Sequence, residues 1–207
     1  MLEFLVNSKR SNMKYDFIEI GTSDFETLIQ TTSGLLGLSI EPIKLYLDRL
    51  PNNPHVIKVN SAISDKNGVT DVFWVDPNDI IEYELPQYIK GCNSIIRPHI
   101  TTSSILQKEN LEFLLKQTSC EMMTWETLIK RYDVESVDTL KIDTEGHDCV
   151  ILNNILDFNG GVLPRKILFE GNELTNSKFI EKTIKRLETV GYKLIFNNNW
   201  DVIVEMI

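Results

Sequence analysis

The sequence predicts an α/β fold, a mostly parallel sheet with helices on both faces, in one domain over residues 1–207. Three observations carry this. Short apolar runs alternate with helical patterns, as in βαβ units. The runs are apolar without strict alternation, so both faces of the sheet are covered. The last two runs are separated by a few turn-forming residues, so they close as an antiparallel hairpin.

Taken in order, Asp16-Phe17-Ile18-Glu19-Ile20 reads as the first strand. Phe25 to Gln30 begins a helix, and Ser23 or Asp24 offers a side-chain oxygen to its first-turn amides. Leu38-Ser39-Ile40 is a strand, and Pro42 to Leu50 a helix whose proline suits the first turn. His55 to Ile63 and Val69 to Val75 read as strands. Residues 77–104, broken by Pro86, Gly91 and Pro98, read as an insertion or long loop. Leu106 to Lys116 and Trp125 to Tyr132 predict helices, Thr139 to Asp143 a strand, His147 to Leu156 a helix and Lys166 to Glu170 a strand. Lys178 to Val190 is a helix ended by Gly191. Tyr192 to Phe196 and Asp201 to Met206 form the hairpin.

The chain carries 30 acidic and 21 basic residues, a formal net charge of −9. An acidic surface repels phosphate backbones, which argues against a nucleic-acid partner. The densest basic run, Lys182 to Arg186, falls on the solvated face of a helix. No apolar run approaches the roughly 20 residues of a membrane span, and the first residues lack the basic region of a signal peptide. Cys92, Cys120 and Cys149 have no C-x-x-C spacing, so free thiols in a reducing, cytoplasmic compartment are expected.

In open α/β sheets ligands bind outside the carboxyl ends of the strands. The first strand runs into Gly21-Thr22-Ser23-Asp24-Phe25-Glu26, where a dinucleotide site would want G-x-G-x-x-G. Only Gly21 is present, so a pyrophosphate cradle is poorly supported and NAD is disfavoured. A phosphate-free cofactor such as S-adenosylmethionine needs one close backbone approach at Gly21, and acceptors such as Glu19 or Asp24 for its ammonium group. Glu41 follows the second strand, 20 residues after Gly21, where a carboxylate accepts hydrogen bonds from both ribose hydroxyls. The competing reading is an exposed acid capping the helix that starts at Pro42, and the spacing and the strand-end position favour the ribose role. Ser61 and Ala62 end the third strand, beside the position an adenine would take.

The chemical half of the site is read from Leu140-Lys141-Ile142-Asp143-Thr144-Glu145-Gly146, a strand that ends in acids. Glu170, Asn172 and Glu173 end the next strand. Carboxylates converging on one rim hold a cation, or orient hydroxyl and ammonium groups. The candidate metal ligands are Asp143, Glu170 and Asn172, for magnesium or manganese.

These stretches resemble the FkbM-type methyltransferases. Lys141-Ile142-Asp143-Thr144-Glu145-Gly146 is similar to that family's K-I-D-x-E-G signature. Phe17 to Gly21, Ile40-Glu41-Pro42, Ala62 to Asp65 with Gly68, Leu168-Phe169-Glu170 and Gly191-Tyr192 fit its other motifs in order. Departures are Glu19, Ser23 and Phe25, where the family's first motif has aspartate, asparagine and glycine. The resemblance implies a Rossmann-like class I methyltransferase fold with a seven-stranded sheet, S-adenosylmethionine as donor, and O-methylation, often of a sugar hydroxyl in a glycan. The compact length is similar to methyltransferase modules of large-virus glycan-modifying enzymes, in which such a unit is one part of a longer chain.

A carbohydrate acceptor hydroxyl needs a base or a cation to help it lose its proton. Residues 77–104 are expected to form the acceptor pocket. His99 in that segment is ranked first as base, above His147 beside the acids, with Asp143 as the other catalytic residue. A non-catalytic Rossmann-like module, or a methyltransferase for a non-sugar small molecule, are the competing readings.

Overall fold

The computed structural model describes residues 12–23, 27–158, 160–198 and 200–207. Its main sheet contains β1 (Met13–Ile20), β2 (Gly37–Ile40), β3 (Val56–Val59), β8 (Val134–Ile142), β9 (Lys166–Glu170), β10 (Tyr192–Asn197) and β11 (Asp201–Met206). The spatial order is β10-β11-β9-β8-β1-β2-β3. All neighbours are parallel except β11, which runs antiparallel to both β9 and β10. The main sheet is therefore mostly parallel and closes with an antiparallel C-terminal hairpin, as the sequence predicts.

The connecting helices are α1 (Leu28–Thr31), α2 (Lys44–Arg49), α5 (Trp125–Arg131), α6 (Asp148–Asp157) and α7 (Ser177–Thr189). Central strands such as Phe17-Ile18-Glu19-Ile20 are buried along their length, which explains their lack of alternation. One core joins the sheet to α5, α6 and α7 through Ile18, Leu140, Trp125, Leu152 and Leu187. Trp125 is fully buried, and its indole N–H donates to the Val162 carbonyl.

Residues 55–63 and 77–123 depart from the sequence reading. The third strand breaks after Val59, and Ala62–Ile63 (β4) enters a second sheet with β5 (Gly68–Val75), β6 (Ser94–Ile95) and β7 (Leu115–Met123), in the order β4-β7-β5-β6. The helix expected over Leu106 to Lys116 instead spans Ile100–Glu109 (α4) and ends at Asn110 in the left-handed conformation. Residues 77–104 are not a bare loop. They contain α3 (Pro77–Glu82), a 3-10 turn at Gln87–Lys90, β6 and the start of α4. Val75, Ile80, Leu85, Ile89, Leu106 and Leu114 give this segment a small core of its own.

No described helix is long and apolar enough to cross a membrane. Cys92, Cys120 and Cys149 are free.

Candidate functional site

The carboxyl ends of β1, β2, β8 and β9 meet at one rim, and a cavity of about 370 Å³ opens there. That falls within the range for small-molecule sites, about 300–1,000 Å³. Gly21, Ser23, Glu41, Ser61, Ala62, Asp143, Glu145, His147 and Glu170 all line it. The segment from Tyr88 to Ile95 supplies the facing wall.

Gly21 sits at φ +81°, and a Cβ there would lie 1.9 Å from the Asp143 carbonyl oxygen. The glycine is thus required by the β1 turn packing against the β8 turn, while the Asp143 amide donates to the Ile20 carbonyl at 2.9 Å. Asp24 lies outside the described residues.

Glu41 is 3% exposed. Its Oε2 accepts from the Ser23 amide at 2.7 Å and its Oε1 from the Ile43 amide at 2.8 Å. Burial pushes its carboxyl up to about 7, against those amides. The Thr22 amide is a third donor, which leaves one of the four lone pairs open, so a hydrogen bond from a ribose hydroxyl is compatible with the helix-start role.

Glu19 is brought elsewhere. Its fully buried carboxylate accepts from the Leu28 amide at 2.9 Å and faces Lys141 Nζ at 3.3 Å. It anchors the first turn of α1 and is absent from the cavity lining. Its partners are the Leu28 and Ile29 amides and Lys141, so the structure places it under the cavity rather than on the wall where a cofactor ammonium group was expected to meet it. Burial still dominates and raises its pKa.

The acids after β8 and β9 are organised by Asp148, a fully buried residue at the start of α6. Its Oδ1 accepts from the Thr144 amide at 3.0 Å and from the Thr144 hydroxyl. Its Oδ2 accepts from the Glu170 amide at 2.8 Å. One side chain therefore fixes both loops. Asp143, Glu145 and Glu170 then converge, each offering an oxygen within 4.8 Å of the others. Burial pushes Asp143 up to about 7, reinforced by Asp148 and Glu145. Burial also pushes Glu170 up to about 9, reinforced by Asp143, Glu145 and Asp148. Three carboxyls this close share protons or a cation.

Glu145 is the site residue that sequence reasoning missed. It holds φ +54°, rare for a residue with a side chain. Gly146 follows at φ +93°, with the Leu174 Cβ 3.1 Å from where its own Cβ would stand. Asn172, expected as a ligand, is absent from the lining, and its Oδ1 accepts from the Leu174 amide at 3.0 Å. Its side chain also hydrogen-bonds Glu170, so it stands beside the acidic group that Glu145 completes.

His99 is buried at the start of α4 rather than exposed over the cavity. Its Nδ1 accepts from the Thr101 amide at 3.2 Å, which puts the proton of the neutral ring on Nε2, 3.1 Å from Glu145 Oε2. Nε2 is buried near Glu145 without making a hydrogen bond, and the ring does not line the cavity. The structure thus places His99 behind the cavity wall, beside Glu145, and not over the cavity where a general base was expected.

His147 lines the cavity. Its Nε2 lies 2.9 Å from Ser64 Oγ. The Ser64 hydroxyl donates to Asp65 Oδ1 at 3.2 Å, so it accepts from His147 Nε2–H, leaving Nδ1 unprotonated. Burial lowers the His147 pKa and favours that neutral ring.

A smaller cavity of about 240 Å³ shares Asp143, Glu170 and Asp201, and adds Phe196 and Ile203. Of the tryptophans, Trp74 packs edge-on against Tyr46 and Trp200 is exposed at the β10–β11 turn. Neither lines either cavity.

In comparisons with known proteins, no family model, curated protein or solved structure matched the chain.

Proposed function

We propose that this protein is an S-adenosylmethionine-dependent O-methyltransferase of the FkbM type, acting on a sugar hydroxyl in the cytoplasm. The observation that carries this reading is the joint lining of one cavity by Gly21, Glu41 and Asp143 at the carboxyl rim of one sheet. The mostly parallel seven-stranded sheet with an antiparallel C-terminal hairpin is also the class I architecture that the resemblance implies.

The residues fit the cofactor. Glu41 retains an open lone pair for a ribose hydroxyl, and Ala62, Ile63, Val72 and Ile95 give an apolar lining for a base. The acids beyond Asp143 suit an ammonium or sulfonium charge. Ser23, at the second glycine position, donates its hydroxyl to the Lys90 carbonyl at 3.0 Å. A side chain so placed stands where a pyrophosphate cradle needs bare backbone, which disfavours NAD. When bound, S-adenosylmethionine supplies an electrophilic methyl group on a cationic sulfur.

The chain's own groups do the rest. Asp148 fixes the Thr144 and Glu170 amides and so sets the acidic loops before substrate arrives. Asp143 and Glu170 accept from acceptor hydroxyls, and Phe196 offers an apolar face to a sugar ring in the adjoining cavity. His147 Nδ1 takes the hydroxyl proton. Asp143, Glu145 and Glu170 would hold a magnesium or manganese ion, whose charge would lower the hydroxyl pKa.

Calorimetry with S-adenosylhomocysteine tests the reading. Micromolar binding that Glu41→Ala weakens is expected. No binding by the wild type, or binding indifferent to Glu41, refutes it. Labelled-methyl transfer to a panel of sugars then separates an enzyme from a non-catalytic module.

A further inference from the structure

The smaller cavity lies over one face of the main sheet, and the strand register fixes which side chains share that face. Glu170 pairs with Asp201, and Leu168 with Ile203, across β9 and β11. Phe196 pairs with Ile203 across β10 and β11, and Lys141 with Leu168 across β8 and β9. Residues paired directly across a ladder project to the same side, as do residues two apart along a strand. The cavity therefore has an apolar floor of Leu168, Ile203 and Phe196. Glu170 and Asp201 stand together at one end of this floor and line both cavities, so they mark where the two meet.

Asp201 is the acid at this junction without a structural duty. Its amide donates to Asn198, but its carboxylate is exposed and makes no hydrogen bond or ion pair among the described residues. Its neighbours are engaged: Asn172 hydrogen-bonds Glu170, and Lys141 Nζ lies 3.7 Å from Asp143. Asp201 also stands outside the group of Asp143, Glu145 and Glu170, so a metal ion held by those three leaves it unclaimed.

The charges of the lining narrow the ligand. Lys141 is the one Lys or Arg in the described lining of either cavity, and Glu19 at 3.3 Å and Asp143 at 3.7 Å engage its Nζ. A phosphate or carboxylate on the ligand would meet no unclaimed cation here and would face the acids of the junction. An ammonium group would instead donate charge-assisted hydrogen bonds to Asp201, while the floor takes the apolar face of a ring.

We propose that Asp201 accepts from an ammonium group on the acceptor, so that the smaller cavity selects an amino sugar over neutral and acidic sugars. The methyltransferase reading above underlies one part of this, that the ligand of the smaller cavity is the methyl acceptor.

The test is an NMR titration of the full chain, with and without S-adenosylhomocysteine, at about pH 6, where sugar amines are charged. The probes are the methyl glycosides of glucosamine, galactosamine and mannosamine, each against its parent hexoside, in which a hydroxyl replaces the ammonium group. In at least one pair the amine should bind about tenfold or more tightly. Asp201→Asn, which keeps the size and loses the charge, should cut that preference to about threefold or less. High salt should shrink the wild-type preference as well, and this measurement stands alone should the variant fail to fold. No amine preference in any pair, tighter binding of methyl glucuronide, or a preference that Asp201→Asn leaves intact overturns the proposal. Affinity for S-adenosylhomocysteine without an amine preference overturns this proposal alone. No affinity for S-adenosylhomocysteine defeats the methyltransferase reading, and with it the place of the amine as acceptor.

Discussion

Replacing Glu41 with glutamine tests how burial has tuned this site. The carboxyl is 3% exposed and its pKa is raised from 4.5 to about 7 by burial. A raised pKa means that the folded state keeps a proton which the unfolded chain releases first. The stability that neutral Glu41 contributes is therefore full below pH 4.5 and is lost as pH rises through about 7. At 1.36 kcal/mol per pH unit, the interval from 4.5 to about 7 is worth about 3 kcal/mol. Glutamine does not titrate. Whatever its stability at acid pH, Glu41→Gln should gain on the wild type by about 3 kcal/mol between roughly pH 4.5 and 8.5. Urea unfolding at five or six pH values, with the denaturant slope unchanged, measures this. Parallel stability curves for the two proteins would show that Glu41 titrates alike in the folded and unfolded states and would refute the reasoning.

Three further outcomes follow from the same geometry. Asp148→Ala strips the acceptor from two amides and a hydroxyl, and should cost about 3 kcal/mol, seen as a fall of roughly 10 °C in Tm. Manganese should raise Tm more at pH 8 than at pH 5.5, because Asp143 and Glu170, raised to about 7 and about 9, must lose protons to ligate it. Glu145→Gln should remove most of that gain, and a gain that persists in the variant would place the ion elsewhere. His147→Gln should lower methyl-transfer turnover by about a hundredfold while leaving S-adenosylhomocysteine affinity within about threefold.

The main sheet was legible because its central strands are short, apolar and bounded by turn residues, so Lys166 to Glu170 is strand β9 as expected. Strand β7 was not. Lys116-Gln117-Thr118-Ser119 is polar and half-exposed or exposed, and it is held as a strand by pairing with Trp74 to Asp71, over 40 residues away in sequence. A long-range ladder of this kind leaves no local period to read. Gly21 stands at the turn after β1 as read, and there its missing side chain makes room for the Asp143 carbonyl. Glu41, Ser61, Ala62, Asp143 and Glu170 were readable because strand ends are fixed by topology. His99 and Glu145 were not, because a ring's hydrogen-bond partners and a positive φ are set by tertiary contacts.

The Lys90 carbonyl has a consequence for how this chain tolerates change. One peptide oxygen receives both Ser23 and Asn93, so the far wall and the first turn share a fixed point. Lengthening or shortening the stretch from Pro77 to Ile89 would displace that point and disturb the Glu41 end of the cavity at once. The exposed bend at Ile96 and Arg97 lies past it. Insertions, tags or spectroscopic labels belong at that bend, where the added chain is free of the Ser23 and Asn93 contacts.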